Sequence, residues 1–170
     1  MLKRLPRFPD IVSVYAVIAS MLFAWAMLLF FWYVPSWLHF MSFDDLFSVF
    51  CYVMASSFIE SISFLSLLLA ASFFLPQKYL RDEFVPCGTA ITLCAIGLIM
   101  LYDSNKINIS LSKFAAILVL STVIASFLST KIYPMRKALI WLSDRLTVFL
   151  YILIPLSVLS IFAIIIRNIS

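Results

Sequence analysis

The chain has few charged residues, few glycines and few of the residue types from which catalytic and metal sites are built. Of its 170 residues, 12% are charged, two are glycine, three are cysteine and one is histidine. Two glycines exclude a glycine-rich phosphate loop, and one histidine with three scattered cysteines supplies neither a metal-ligand cluster nor a disulfide framework. The hydrolase motifs HExxH and GxSxG are also absent. We therefore expect no enzymatic activity, no cofactor and no metal site.

What the chain has in excess is apolar side chain. Hydrophobic residues make up 65% of the sequence, and the mean hydropathy is +1.13. Soluble proteins carry about 25% charged residues, so this chain cannot cover its surface with polar groups. The composition predicts an integral membrane protein whose first partner is the lipid bilayer. The isoelectric point of about 9.1 does not indicate nucleic-acid binding, because the basic residues form no stripe with interleaved stacking side chains.

Five segments are long and apolar enough to cross a bilayer, whose hydrocarbon core of about 30 Å needs about 20 helical residues. We predict an all-α bundle of five transmembrane helices, forming a single domain over residues 1–170. Four spans remain an alternative, because the third segment is the shortest and opens with Pro86. The predicted spans are Ile11 to Val34, Leu46 to Leu75, Val85 to Tyr102, Leu111 to Thr130 and Thr147 to Ile166.

Local signals support these boundaries. Asp10 is placed to cap the first helix, and Ser42 with Asp45 three residues later predicts a capping box at the start of the second. Residues 135–146 alternate apolar and charged side chains at helical spacing. That pattern predicts an amphipathic helix at the headgroup level or, alternatively, a cytoplasmic extension of the fifth span.

The basic residues predict an orientation. With five crossings, the N-terminal tail, the 76–84 loop and the 131–146 segment share one side of the membrane and carry nine Lys and Arg, against three on the other side. By the positive-inside rule, the N-terminus is cytoplasmic and the C-terminus lies outside.

Glu60 is the one acidic residue deep inside a predicted span. It stands close to the middle of the second segment, with Ser56, Ser57 and Ser63 one helical turn away. A carboxyl at this depth is costly by a few kcal/mol, so we expect it to face other helices and form an intramembrane polar site with these serines. The site could join helices by hydrogen bonds, or it could carry an ion or substrate.

Two further features are candidate sites. Small residues recur on one face of the third span, at Cys87, Ala90, Cys94 and Gly97, which predicts a close helix-packing face. His39 is placed at the outer interface. It is a candidate ligand for a haem or pigment, although a solvated interfacial histidine is the simpler interpretation.

The first half of the chain resembles an uncharacterised group of small multispanning membrane proteins from filamentous green bacteria. The residues that carry the resemblance are Tyr15, Phe23-Ala24-Trp25, Pro35-Ser36-Trp37, Glu60, Leu75-Pro76 and Arg81-Asp82-Glu83-Phe84. The resemblance implies a multi-pass protein of a bacterial inner membrane, and it implies no activity or site residue.

These observations favour a non-catalytic, accessory subunit that packs with other integral subunits in a larger membrane complex, such as a respiratory or photosynthetic one. The alternative is a small transporter or channel component in which Glu60 couples to a proton or substrate.

Overall fold

A computed structural model describes residues 6–74, 83–103 and 110–169, and within these ranges the regular structure is helical. Each of the five helices in this part of the chain is long and apolar enough to cross a membrane. The all-α prediction is therefore confirmed, and so is the third span, since α3 is a full helix. The helices are α1 (Phe8–Trp37), α2 (Phe43–Phe74), α3 (Phe84–Asp103), α4 (Leu111–Lys131) and α5 (Tyr133–Ile169).

The helix starts agree with the sequence at α2 and differ at α1. The Asp45 N–H donates to Ser42 Oγ at 3.3 Å, and the Ser42 hydroxyl donates to Asp45 Oδ2 at 2.8 Å, so the capping box is confirmed. The cap prediction for Asp10 is wrong. Arg7 is the N-cap residue of α1, because Pro9 favours the first helical turn, and Asp10 lies inside that turn. A carboxylate there still interacts favourably with the helix dipole.

The first helix is the centre of the bundle. It packs against α2, α3 and α5, whereas α4 packs mainly on α3 and lies at the edge. Val14 and residues 16–19 of α1 are completely or almost completely buried, while the buried residues of α4 are Phe114 and Ser129. α1 therefore joins α2, α3 and α5, and most of the α4 surface faces outward.

Two apolar clusters lie on different sides of α1. Because lipid is as apolar as leucine, such clusters stabilise a membrane bundle through close packing rather than through removal from water. The first consists of Val14, Ile18, Leu68, Phe84, Cys87 and Ile96, and the second of Ala16, Ala19, Phe23, Met54 and Leu150.

The last helix is continuous over 37 residues, which corresponds to about 55 Å. Residues 135–146 thus continue the fifth span without a break, which is the second of the two predicted arrangements. The extension keeps the expected amphipathic pattern: Leu139 and Ser143 are buried, whereas Asp144 and Arg145 are exposed. No proline or glycine occurs between residues 135 and 154, so nothing in the sequence breaks the helix at the membrane boundary.

Two ion pairs connect helix ends at opposite ends of the bundle. Arg136 Nη1 lies 2.7 Å from Glu83 Oε1, and Arg167 Nη2 lies 3.3 Å from Asp45 Oδ1. The first pair puts the start of α5 beside the start of α3, and the second puts the end of α5 beside the start of α2. Five crossings require this pairing of ends. The cytoplasmic placement of the N-terminus stays a prediction. Five of the basic residues on which that prediction depends lie outside the described residues: Lys3, Arg4, Lys78, Arg81 and Lys106.

Candidate functional site

Glu60 lies on the outside of the bundle. It is 17 residues from the start of α2 and 14 from its end, or about 26 Å and about 21 Å along the axis. Its side chain is exposed, and within the part of the chain that the structure describes no group bonds to its carboxyl. The prediction that Glu60 faces other helices is therefore wrong for the five described helices.

The buried face of α2 explains this direction. Cys51, Met54, Ser61 and Leu68 are buried at spacings of three and seven residues, which marks the face that packs on α1 and α5. Glu60 immediately precedes Ser61 and is rotated from it by about 100°. The carboxyl consequently lies on the outward half of the helix.

The structure divides the predicted polar site in two. Ser56 and Ser63 are exposed on the same side as Glu60, but Ser57 is 2% exposed and faces the bundle. Ser57 donates its hydroxyl to the Val53 carbonyl at 2.9 Å. The site therefore retains Ser56, Glu60 and Ser63, and Ser57 does not belong to it.

A second polar contact, which the sequence did not reveal, joins α2 to α1. The Tyr15 and Ser61 hydroxyl oxygens are 3.2 Å apart, and Ser61 is completely buried. The only signal in the sequence is that Ser61 shares the spacing of the buried positions Met54 and Leu68. This contact belongs to the core of the bundle and not to the outward site.

The outward serines use their hydroxyl hydrogens within α2. Ser56 donates to the Val53 carbonyl at 3.1 Å, Ser63 to the Ile59 carbonyl at 2.8 Å, and Ser66 to the Ile62 carbonyl at 2.8 Å. Each oxygen keeps lone pairs that can accept a further hydrogen bond. The outward side of α2 thus offers hydrogen-bond acceptors beside the unpaired carboxyl of Glu60.

These residues belong to a longer exposed row, which we call the α2 seam. Its members alternate at spacings of four and three residues and are all exposed. Such spacing is the pattern by which one helix presents a continuous face to a partner helix. The α2 seam consists of Tyr52, Ser56, Ile59, Ser63, Ser66 and Ala70, with Glu60 along its edge.

The predicted packing face on α3 is only partly correct. Cys87 and Ala90 are buried, and Cys87 Sγ lies 2.9 Å from Ser126 Oγ of α4. Cys94 and Gly97 are half-buried, and a Cβ added at Gly97 would meet nothing within 4 Å. The close approach occurs at Gly88 instead, where an added Cβ would lie 3.1 Å from both methyl groups of Val14.

His39 lies in the exposed turn that follows α1. Its Nδ1 donates to the Pro35 carbonyl at 2.9 Å, because a carbonyl oxygen can only accept. This contact leaves Nε2 as the free ring nitrogen. A haem or pigment ligand at this position stays a prediction.

Among the cavities that the described residues form between helices, two have defined walls, and Glu60 lines neither of these two. One of about 580 Å³ lies between the start of α2 and the end of α5, where Asp44, Tyr52 and Arg167 contribute to its wall. The other, of about 390 Å³, lies between α1, α2 and α5 and is apolar apart from Ser20. The Ser20 hydroxyl is buried and has no hydrogen-bond partner among the described residues.

Comparison with protein-family models, curated proteins and solved structures finds no match to this chain. The position of Glu60 and the α2 seam are then the features of the molecule that bear on its function.

Proposed function

We propose that this protein is a non-catalytic subunit of a membrane complex and contacts neighbouring membrane protein through the α2 seam. Glu60 is the observation that carries the proposal. A carboxyl at mid-membrane depth costs a few kcal/mol when lipid surrounds it, so such residues normally face protein or a water-filled cavity. Because none of the described helices covers Glu60, a neighbouring chain is the natural cover.

The contrast between two outward faces supports the proposal. α4 presents Val119, Leu120 and Val123, each about 60% exposed, and these side chains match lipid. The α2 seam presents three serines and borders a carboxyl at comparable depth. Since polar groups at this depth are stabilised by interhelical hydrogen bonds, the α2 seam is better suited to a protein neighbour than to lipid.

The sequence supports the proposed location of the protein in a membrane complex. The resemblance to multispanning proteins of filamentous green bacteria favours a multi-pass protein of a bacterial inner membrane. We place the chain in an energy-converting assembly of respiratory or photosynthetic type, where it contributes packing surface and not a catalytic group.

Extraction of the protein in its native lipid with a nanodisc-forming polymer tests this function. Mass measurement of the particles should give a protein mass above that of one 19.4 kDa chain. Replacement of Glu60 by leucine should reduce the share of such particles, while Asp144→Leu, which removes an exposed acid of α5, should not. A lone chain in every wild-type particle would contradict the proposal.

Proton or substrate coupling is a second candidate function, favoured by the same unpaired carboxyl. Because Glu60 points away from the other helices of its chain, the polar path would have to run between this chain and its neighbour. In proteoliposomes, Glu60→Gln should abolish pH-dependent flux and leave the helical circular dichroism spectrum intact. Unchanged flux would eliminate this role.

A further inference from the structure

We infer that the neighbour on the α2 seam is a second copy of this chain, packed α2 against α2 about a two-fold axis along the membrane normal. The inference rests on the proposed function and names the partner at the same site. Three properties of the α2 seam lead to it: its spacing, its balance of hydrogen-bond donors and acceptors, and the charges at its outer end.

The spacing fits two parallel helices. Ser56, Ser63 and Ala70 are seven residues apart, and Tyr52, Ile59 and Ser66 form the second seven-residue series. A repeat of this kind keeps one face against a partner helix in a left-handed pair, and small residues allow the backbones to approach. Copies inserted with the same orientation have parallel α2 helices. A two-fold axis then places each α2 seam opposite its own counterpart at the same depth.

The donors and acceptors of the α2 seam balance between two copies. The three outward serines donate to carbonyls of their own helix, so toward a neighbour they can only accept. The Glu60 carboxyl, when it carries a proton, adds the missing donor. Glu60 of each copy lies within one helical turn of the depth of Ser63 in the other, and the carboxyl O–H can donate to that hydroxyl oxygen. Two identical hydrogen bonds result, and no cation from another subunit is needed.

The outer end of the α2 seam is also compatible with a two-fold pair. Asp45 lies seven residues before Tyr52 and continues the same series. Its carboxylate pairs with Arg167 of its own chain at 3.3 Å. At position 45, two copies therefore bring together two ion pairs and not two unpaired carboxylates.

Disulfide trapping in native membranes tests the inference. The background is a cysteine-free chain carrying Cys51→Ala, Cys87→Ser and Cys94→Ala, into which one cysteine is introduced at a time. With Ser56→Cys or Ser63→Cys, mild oxidation should give a species of twice the 19.4 kDa chain. The control is Val123→Cys on α4, 60% exposed in the wild type, which should give at least fivefold less.

Two variants of Glu60 test the hydrogen bonds. In the Ser56→Cys background, which keeps the Ser63 acceptor, Glu60→Gln should keep most of the trapped species, because an amide also supplies a donor and an acceptor. Glu60→Leu removes both bonds and should lower the yield by roughly tenfold. Equal yields from these two variants would overturn the role of Glu60 in the pair.

The extraction experiment separates this inference from the proposed function. Particles that contain a different protein, without trapping at Ser56→Cys or Ser63→Cys, would overturn the second copy and leave the subunit function standing. Particles with a single chain would overturn both. If the cysteine-free chain fails to insert, two differently tagged wild-type copies give the same decision: retention of the second tag during purification supports the pair, and its loss overturns it.

Discussion

Gly88 and Gly97 are the two glycines of the chain, and their surroundings differ in a way that can be measured. A methyl group at Gly88 would press on Val14, which is completely buried and whose branched side chain has little rotational freedom. The same group at Gly97 would enter open space. The two positions therefore form a matched pair on one helix.

We predict that Gly88→Ala lowers the free energy of unfolding by about 1 kcal/mol, since overpacking of a tight contact outweighs the better helix propensity of alanine. Gly97→Ala should be neutral or stabilising by up to about 1 kcal/mol. Reversible unfolding in mixed detergent micelles, followed by circular dichroism, measures both variants. Equal effects at the two positions would show that α1 and α3 do not approach each other closely at Gly88.

Glu60 shows what the sequence alone can and cannot establish about a single residue. Its depth follows from counting residues along an apolar segment. Its direction does not, because serines and apolar residues occur on both sides of α2, so their spacing does not distinguish the inward face from the outward one. The separation of Ser57 from Ser56 has the same cause. The close contact at Gly88 was not predicted. Gly88 directly follows Cys87, so it is rotated by about 100° from the row of small residues that contains Cys87.

At the scale of elements, the sequence predicts which segments are helical better than it predicts where each helix begins and ends. The capping box at Ser42 and Asp45 fixes the start of α2, since a side-chain bond to a free N–H has a recognisable sequence. Segment 135–146 could be an interfacial helix or an extension of the last span, and its amphipathic pattern is the same in both cases. The continuous backbone of α5 decides between them.

The continuity of α5 predicts a distance between spin labels. Lys137 and Tyr151 are both exposed, and 14 residues of straight helix separate their Cα atoms by about 21 Å. A helix that bends sharply near residue 146, at the membrane surface, would shorten this distance to about 15 Å. Labels attached through Lys137→Cys and Tyr151→Cys in the cysteine-free chain measure it by pulsed electron paramagnetic resonance. A distance near the shorter value would show that residues 135–146 form a separate helix at the membrane surface.

At the scale of the whole molecule, the ion pairs Glu83–Arg136 and Asp45–Arg167 mark the two ends of the bundle. Exposed pairs of this kind stabilise by about 1 kcal/mol or less, so they report the arrangement of the helices more than they determine it. The number of spans was predictable because bilayer thickness fixes helix length. The packing of α1 at the centre was not, since lipid and protein interior are equally apolar and composition does not rank helices by burial.

The orientation of the bundle is a further prediction. Lys137 and Asn168 are exposed near opposite ends of α5, so one of them should face the cytoplasm and the other the outside. In intact cells, a membrane-impermeant maleimide should modify Asn168→Cys and should modify Lys137→Cys only after the membrane is opened. The wild-type chain provides the background from its three native cysteines. Modification of Lys137→Cys alone in intact cells would reverse the predicted topology.

The central claim is that protein covers the outward face of α2 in the membrane. Photo-crosslinking tests it most directly, with benzoylphenylalanine replacing Ile59 on the α2 seam or Val123 on α4. These residues are 61% and 60% exposed, so lipid would reach them equally if no neighbour were present. After illumination of native membranes, we predict protein adducts from position 59 and mainly lipid adducts from position 123. Lipid adducts alone from both positions would contradict the account.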